Sequence, residues 1–207
     1  MSAPAAQARL LRAARRERVD RTPVWFMRQA GRYLPEYRAI REKHSLLEIC
    51  ERPSLAAEVT LQPVRRLGVD GAILFADILL PLVPMGLRLE FAKGEGPVIH
   101  NPIRTEEAVG RLLSVDVREA LGPVLETVRL VRRDLPPAIP LLGFAGAPFT
   151  LACYAVEGGG SRDFLETKRL MLGAPQAFDD LLGRFATVVG DYLAAQVEAG
   201  ADAVQVF

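Results

Sequence analysis

Leu67-Gly-Val-Asp-Gly-Ala-Ile-Leu-Phe75 and Ala199-Gly-Ala-Asp-Ala-Val-Gln-Val-Phe207 are two versions of one segment, matching in their Gly, Asp and Phe positions. In each, a helical stretch meets a glycine stop and continues as a short run of strand length. Glycine ends helices because it enters left-handed backbone space without steric penalty. A near-continuous apolar run such as Gly71 to Ile78 indicates a strand covered on both faces, as in parallel sheets. Repetition of one helix-to-strand unit is how a (β/α)8 barrel is assembled, although a doubly wound open sheet has similar spacing. The expected class is therefore α/β, with the barrel as the favoured architecture.

Outward from these segments, helix and strand signals alternate along the whole chain, as βα units require. Val24 to Met27, entered through Pro23, reads as a first strand, and Tyr33 to Lys43 as a helix. Ser45 with Glu48 has the spacing of a capping box, and a longer helix runs from about Ser54, around Pro63, to Leu67. Leu87 to Phe91 alternates; with Lys93, Gly94, Glu95 and Gly96 as turn and Pro97 to Ile99 returning, it predicts a hairpin inserted into the barrel. Asp116 to Arg133 reads as an amphipathic helix, Ile139 to Phe144 as a strand, Ser161 to Leu172 as a helix, and Gln176 to Ala199 as a long helix launched by Pro175. Ala203 to Phe207 is the last strand. No low-complexity linker interrupts this order, so residues 1–207 read as one domain.

Composition removes several function classes. Lys plus Arg (26) nearly balance Asp plus Glu (25), so the overall basic excess of a protein held by nucleic-acid phosphates is missing and anion binding must be local. Cys50 and Cys153 are the only cysteines in a chain large enough to bury its own core, which points to a reducing, cytoplasmic setting. With two histidines as well, a structural zinc site is not expected. No run approaches the roughly 18 apolar residues of a membrane span. Leu10, Leu11, Ala14 and Val19 give the Arg-rich opening the stripe of an ordinary first helix rather than a transit peptide.

In α/β barrels and open sheets alike, chemistry gathers past the carboxyl ends of strands. Three segments qualify: Arg28-Gln-Ala-Gly-Arg32, Ala76-Asp77, and Ala145-Gly-Ala-Pro-Phe-Thr-Leu-Ala-Cys-Tyr154. Two arginines around a glycine suit carboxylates, which a guanidinium grips through paired charge-assisted bonds; the plainer reading is two solvated or surface-paired side chains. Asp77 follows an apolar strand and must have a partner, either a backbone amide or positive charge developing on a substrate. Tyr154 by itself reads more readily as a core aromatic whose hydroxyl finds a backbone partner than as a site residue. Glu157-Gly-Gly-Gly-Ser161 lacks the Gly-Lys-[Ser/Thr] ending of a phosphate loop, and Ser161 reads as a helix cap.

Pro23-Val-Trp-Phe-Met-Arg-Gln-Ala-Gly-Arg-Tyr-Leu-Pro-Glu-Tyr37 resembles, nearly residue for residue, the first signature of the uroporphyrinogen decarboxylase family. Gly143 to Ser161 resembles its second signature, and Phe75-Ala-Asp-Ile-Leu79 its aspartate segment. The resemblance implies a distorted TIM barrel, incomplete here at about five βα units plus the hairpin. It further implies a homodimer that uses neither cofactor nor metal and decarboxylates the acetate side chains of uroporphyrinogen III to coproporphyrinogen III. No nucleic-acid or membrane partner is implied. Carried over by position, Arg28 and Arg32 bind substrate carboxylates, with Gln29, Ala30 and Gly31 shaping the loop; Asp77 faces the pyrrole NH groups, and Tyr154 lines the site. Asp77 and Arg28 are the catalytic candidates.

Decarboxylation leaves an electron pair that most enzymes pass to a cofactor. A carbon-protonated pyrrole can itself accept that pair, so the protein needs arginines for carboxylates and one fixed anion for the transient cation. Two other readings compete. One is a related barrel methyltransferase, which would rely on zinc ligands in later strands. The other is an inactive, poorly soluble part of a barrel, because about five units leave sheet edges unclosed.

Overall fold

A computed structural model of the chain describes residues 8–31, 33–92 and 96–207. In chain order the elements are α1 (Arg9–Ala14), α2 (Pro35–Lys43), α3 (Leu46–Cys50), α4 (Pro53–Leu67) and β1 (Ala72–Ile73), then a hairpin of β2 (Leu89–Ala92) and β3 (Gly96–Ile99). Next come α5 (Glu106–Gly110), α6 (Val117–Ala120), α7 (Gly122–Asp134), β4 (Leu141–Ala145), α8 (Pro148–Glu157), α9 (Leu165–Gly173), α10 (Pro175–Ala199) and β5 (Ala203–Val206). This is an α/β fold with two compact units. One comprises Met1–Ala76, Gly122–Phe144 and Leu193–Gln205; the other comprises Asp77–Leu121, Ala145–Tyr192 and Val206–Phe207.

The first unit is built on a sheet in the order β1-β4-β5. β1 runs parallel to β4 with Ala72 opposite Leu141 and Ile73 opposite Leu142. β4 is buried along its whole length, as an apolar run in a parallel sheet should be. α4 packs against α7 and β1. It ends where the sequence predicted, at Gly68 in the left-handed conformation with φ 62°. Ser45 and Glu48 complete their reciprocal capping box at the start of α3.

The two echoed segments make equivalent bonds. The Asp70 amide donates to Val24 O at 2.7 Å, and its carboxylate accepts from the Val24 amide at 2.9 Å. The Asp202 amide donates to Leu141 O at 2.8 Å, and its carboxylate accepts from the Leu141 amide at 2.8 Å. Each aspartate thus grips both backbone groups of one residue in the neighbouring segment. Arg9 and Arg21 neutralise Asp70, and Arg132 of α7 neutralises Asp202, as carboxylates this sheltered require.

Two strand expectations are corrected in this unit. Val24 to Met27 forms no ladder among the described residues: the Phe26 amide is taken by the Gln29 side chain at 3.3 Å, and Met27 already begins a turn. The expected strand from Gly71 to Ile78 shortens to Ala72–Ile73. Its continuation is diverted because the Phe75 amide donates to Thr60 Oγ1 of α4 at 2.9 Å rather than to a neighbouring strand. The single helix expected from Asp116 to Arg133 breaks at Leu121, ahead of Gly122-Pro123, where proline cannot continue a preceding helix.

In the second unit β2 and β3 pair antiparallel, from Leu89 opposite Ile99 to Ala92 opposite Gly96. The expected turn at Lys93, Gly94 and Glu95 lies outside the described residues. β3 docks on the glycine run after α8: the Ile99 amide donates to Gly158 O at 2.8 Å, and Val98 pairs with Gly159. A side chain at Gly159 would meet Pro97 O at 3.0 Å, so glycine here permits close approach of two backbones. Glu157 accepts from the Thr167 amide at 2.9 Å and from its hydroxyl at 2.8 Å, tying the end of α8 to α9. Helix α9 starts at Leu165 rather than Ser161, whose hydroxyl instead accepts from the Phe164 amide at 3.0 Å. The stretch after β4, to which the sequence alone assigns no element, is largely helix α8.

Candidate functional site

Residues 28–31 of the first candidate segment lie in a tight turn tied to Phe26, Tyr33 and Gly71. The Gln29 amide donates to Phe26 O at 3.1 Å, closing residues 26–29 on themselves. The Gln29 side chain is 1% exposed. Its oxygen accepts from the Phe26 amide, and its nitrogen donates to Gly71 O at 3.2 Å. A buried amide with both ends bonded is a brace, and its side chain is spent on the fold. Ala30 packs on the cluster of Leu34, Tyr37, Ile49, Ala56 and Val59, which also receives Phe75 beyond the end of β1.

Gly31 sits at φ 35°, and a Cβ there would lie 2.3 Å from the Tyr33 ring, so a side chain at this position would be strained and would have to displace that ring. The Arg28 side chain is exposed and makes no hydrogen bond or ion pair among the described residues. It is therefore available to an anion. Arg32 lies outside the described residues.

The other candidates belong to the second unit, where the exits of three strands meet. Asp77 is half-buried, and one carboxylate oxygen accepts from the Leu79 amide at 2.9 Å, an i to i+2 bond just ahead of the short 3-10 turn Leu80–Leu82. That is the structural bond its position required. The same bond holds the carboxylate in one orientation. Close by, a Cβ at Gly146 would stand 3.3 Å from Ile78, so the segment leaving β4 lies against the Asp77 turn. Phe207 joins them: its amide donates to Ala145 O at 3.0 Å, and its carbonyl accepts from Thr150 Oγ1 at 2.9 Å.

Tyr154 is half-buried on α8, and its hydroxyl has no hydrogen-bond partner among the described residues. The backbone partner expected of a purely structural tyrosine is not found there. One residue back along α8, burial pushes the Cys153 thiol up, which keeps it protonated and unreactive. Burial also pushes the Glu157 carboxyl up, but bonds from Thr167 and Ser161 and the nearby Arg104 charge outweigh it, so the group is held below its ordinary value. No cluster of His, Cys, Asp or Glu able to hold a metal ion occurs among the described residues, and none of their helices is long and apolar enough to cross a membrane.

Tyr33 lies inside the first signature and Thr60 within α4, and sequence reading gives neither a role. Tyr33 donates to Gln29 O at 2.6 Å; Thr60 holds the backbone two residues before Asp77. Only the flanking Arg-x-x-x-Arg signature hints at the first, and nothing in the sequence marks the second.

The family model for uroporphyrinogen decarboxylase (URO-D) matches residues 5–207. The chain belongs to the uroporphyrinogen decarboxylase family. A protein named uroporphyrinogen decarboxylase from Chloroflexus aggregans is 60% identical over 199 residues, covering 96% of this chain and 56% of the relative. Its counterpart from Sorangium cellulosum is 61% identical with 96% and 57% covered, and that from Koribacter versatilis is 54% identical with 100% and 58% covered. The chain therefore spans a little over half the length of the curated relatives it matches. Among solved structures, a methyltransferase from Methanosarcina mazei superposes with a TM-score of 0.75 at 20% identity, covering 96% of this chain and 57% of that one. That likeness concerns the fold.

Proposed function

We propose that this uroporphyrinogen decarboxylase family chain supplies the carboxylate-gripping arginines and the catalytic anion of a decarboxylase acting on uroporphyrinogen III. The scaffold in this reading is the first part of a (β/α)8 barrel, a single domain made of βα units plus the β2–β3 hairpin, in a homodimer of the cytoplasm. The observation that carries the reading is the braced turn at Phe26 to Gly31. It exposes the Arg28 guanidinium on a backbone fixed by a buried amide, within a segment matching the family signature. A braced backbone suits this role, since only the arginine side chain remains to be ordered when a carboxylate binds.

Arg28 and Arg32 bind acetate and propionate carboxylates, while Gln29, Ala30 and Gly31 shape the loop. A pyrrole ring accepts a proton on carbon and becomes cationic; Asp77 stabilises that cation. The bond from the acetate methylene to its carboxylate then breaks, carbon dioxide leaves, and the electron pair moves into the ring and neutralises it. Protonation of the exocyclic carbon and loss of the ring proton yield the methyl group. Tyr154 borders the site with an available hydroxyl. No electron sink outside the substrate enters this sequence.

The test uses this chain joined to the remaining sequence of the Chloroflexus aggregans relative. Asp77→Asn is expected to lower turnover about tenfold or more, with Asp77→Glu also impaired, because charge and position both matter. Near-normal turnover by the Asn variant overturns the charge role. Methyl transfer without coproporphyrinogen formation overturns the reaction class.

A further inference from the structure

We infer that Tyr33 is a positioning residue: its hydroxyl latches the turn that presents Arg28, and it acts on substrate binding only through that arginine. The inference rests on the decarboxylase reading above for its substrate, while the latch itself stands on geometry. Tyr33 is 55% exposed, so its ring is not held in place by burial. Even so, the hydroxyl donates to Gln29 O at 2.6 Å, and the ring lies against the Gly31 backbone so closely that a Cβ there would come within 2.3 Å.

Gln29 is the residue through which the turn is tied down. Its amide and side-chain oxygen bond both backbone groups of Phe26, and its side-chain nitrogen bonds Gly71 O. Its own carbonyl is the group left over, and Tyr33 takes it. Every polar group of Gln29 is thereby engaged, and Arg28 sits in a turn that is closed on one side by Phe26 and on the other by Tyr33. An exposed aromatic that lies beside a glycine, and bonds a carbonyl next to a solvated arginine, holds that arginine's backbone rather than the core.

In the chimera with the Chloroflexus aggregans sequence, Tyr33→Phe keeps the ring and removes only the hydroxyl. The expected result is a KM for uroporphyrinogen raised about fivefold with kcat within about twofold, since binding common to ground and transition states is lost. The melting temperature stays unchanged, as a purely structural role would not allow. In an Arg28→Ala background the same substitution has no further effect on KM, because coupled residues are not additive. An equal KM effect in both backgrounds, or none in the active chimera, overturns the inference. Amide exchange, which needs no turnover, is read alongside: faster exchange at Gln29 supports the latch and unchanged exchange overturns it. An inactive unsubstituted chimera would count against the decarboxylase reading and leave that second readout intact.

Discussion

Asp70 and Asp202 occupy the same place in one repeated segment and form the same pair of backbone bonds, yet they hold their neighbours in different states. Leu141, gripped by Asp202, is fully buried and opens the strand β4. Val24, gripped by Asp70, is 43% exposed and opens an extended stretch that turns away after three residues. The aspartate clamp therefore sets where a segment begins and does not dictate that a ladder forms beyond it.

Competition for the next amides decides between strand and turn. Both segments meet a buried glutamine. Gln196 comes from the end of α10 and satisfies both the amide and the carbonyl of Phe144 at 2.9 Å, which lets β4 run on extended. Gln29 belongs to the segment itself; by taking the Phe26 amide it folds the chain back within four residues. One glutamine supplies the bonds a ladder would have supplied, and the other diverts them.

The largest expected effect tests the buried member of the comparison. Asp202→Ala leaves the Leu141 amide without its acceptor in a strand that excludes water, and leaves Arg132 charged at 22% side-chain exposure. Removing one partner of a sheltered pair usually costs several kcal/mol, but Arg132 keeps the carbonyls of Ile139, Leu135 and Pro136. The loss should be about 3 kcal/mol, read from the urea midpoint. Asp202→Asn, which can still accept from Leu141, should lose less.

Asp70→Ala removes the corresponding carboxylate and should cost about half as much, about 1.5 kcal/mol, because everything it releases can reach water. Val24 is exposed, Arg21 is 54% exposed, and Arg9 keeps Asp20. Equal losses at the two positions would show that the clamps are equivalent after all, and that burial of the neighbour does not set their worth.

Much of this is legible in residue order. The glycine stop at Gly68, the capping box at Ser45 and Glu48, the hairpin and the long last helix all arise from signals within a few residues of one another. The features that escape depend on partners far along the chain. The Gln29 side chain reaches Gly71, 42 residues away, and the Asp70 clamp on Val24 spans 46; neither pairing leaves a mark in local periodicity. Helix α8 escapes for another reason. Its opening Pro148 is a helix-start signal, but the residue before it, Ala147, offers no side-chain cap to mark the boundary. For the site, the arginine and aspartate segments stand out by residue type, while the hydroxyl that braces Gln29 has no spacing or charge to announce it.

The smallest effect sharpens the comparison at its exposed edge. Arg9 bridges Asp70 to a second carboxylate, Asp20, at 2.6 Å, whereas Arg132 spends its remaining donors on carbonyls. The Arg9 guanidinium draws the Asp20 carboxyl down from 3.8 to about 2. A group whose folded value is depressed contributes stability that is complete above its unfolded value and fades as pH falls through the folded one. The Asp20 contribution should therefore be whole above pH 3.8 and lost toward pH 2. A carboxyl-carbon NMR titration should place the Asp20 midpoint near 2, and Arg9→Ala should return it toward 3.8. A midpoint near the ordinary value in the unsubstituted protein would mean that Arg9 serves Asp70 alone, and that the two repeats differ only in burial.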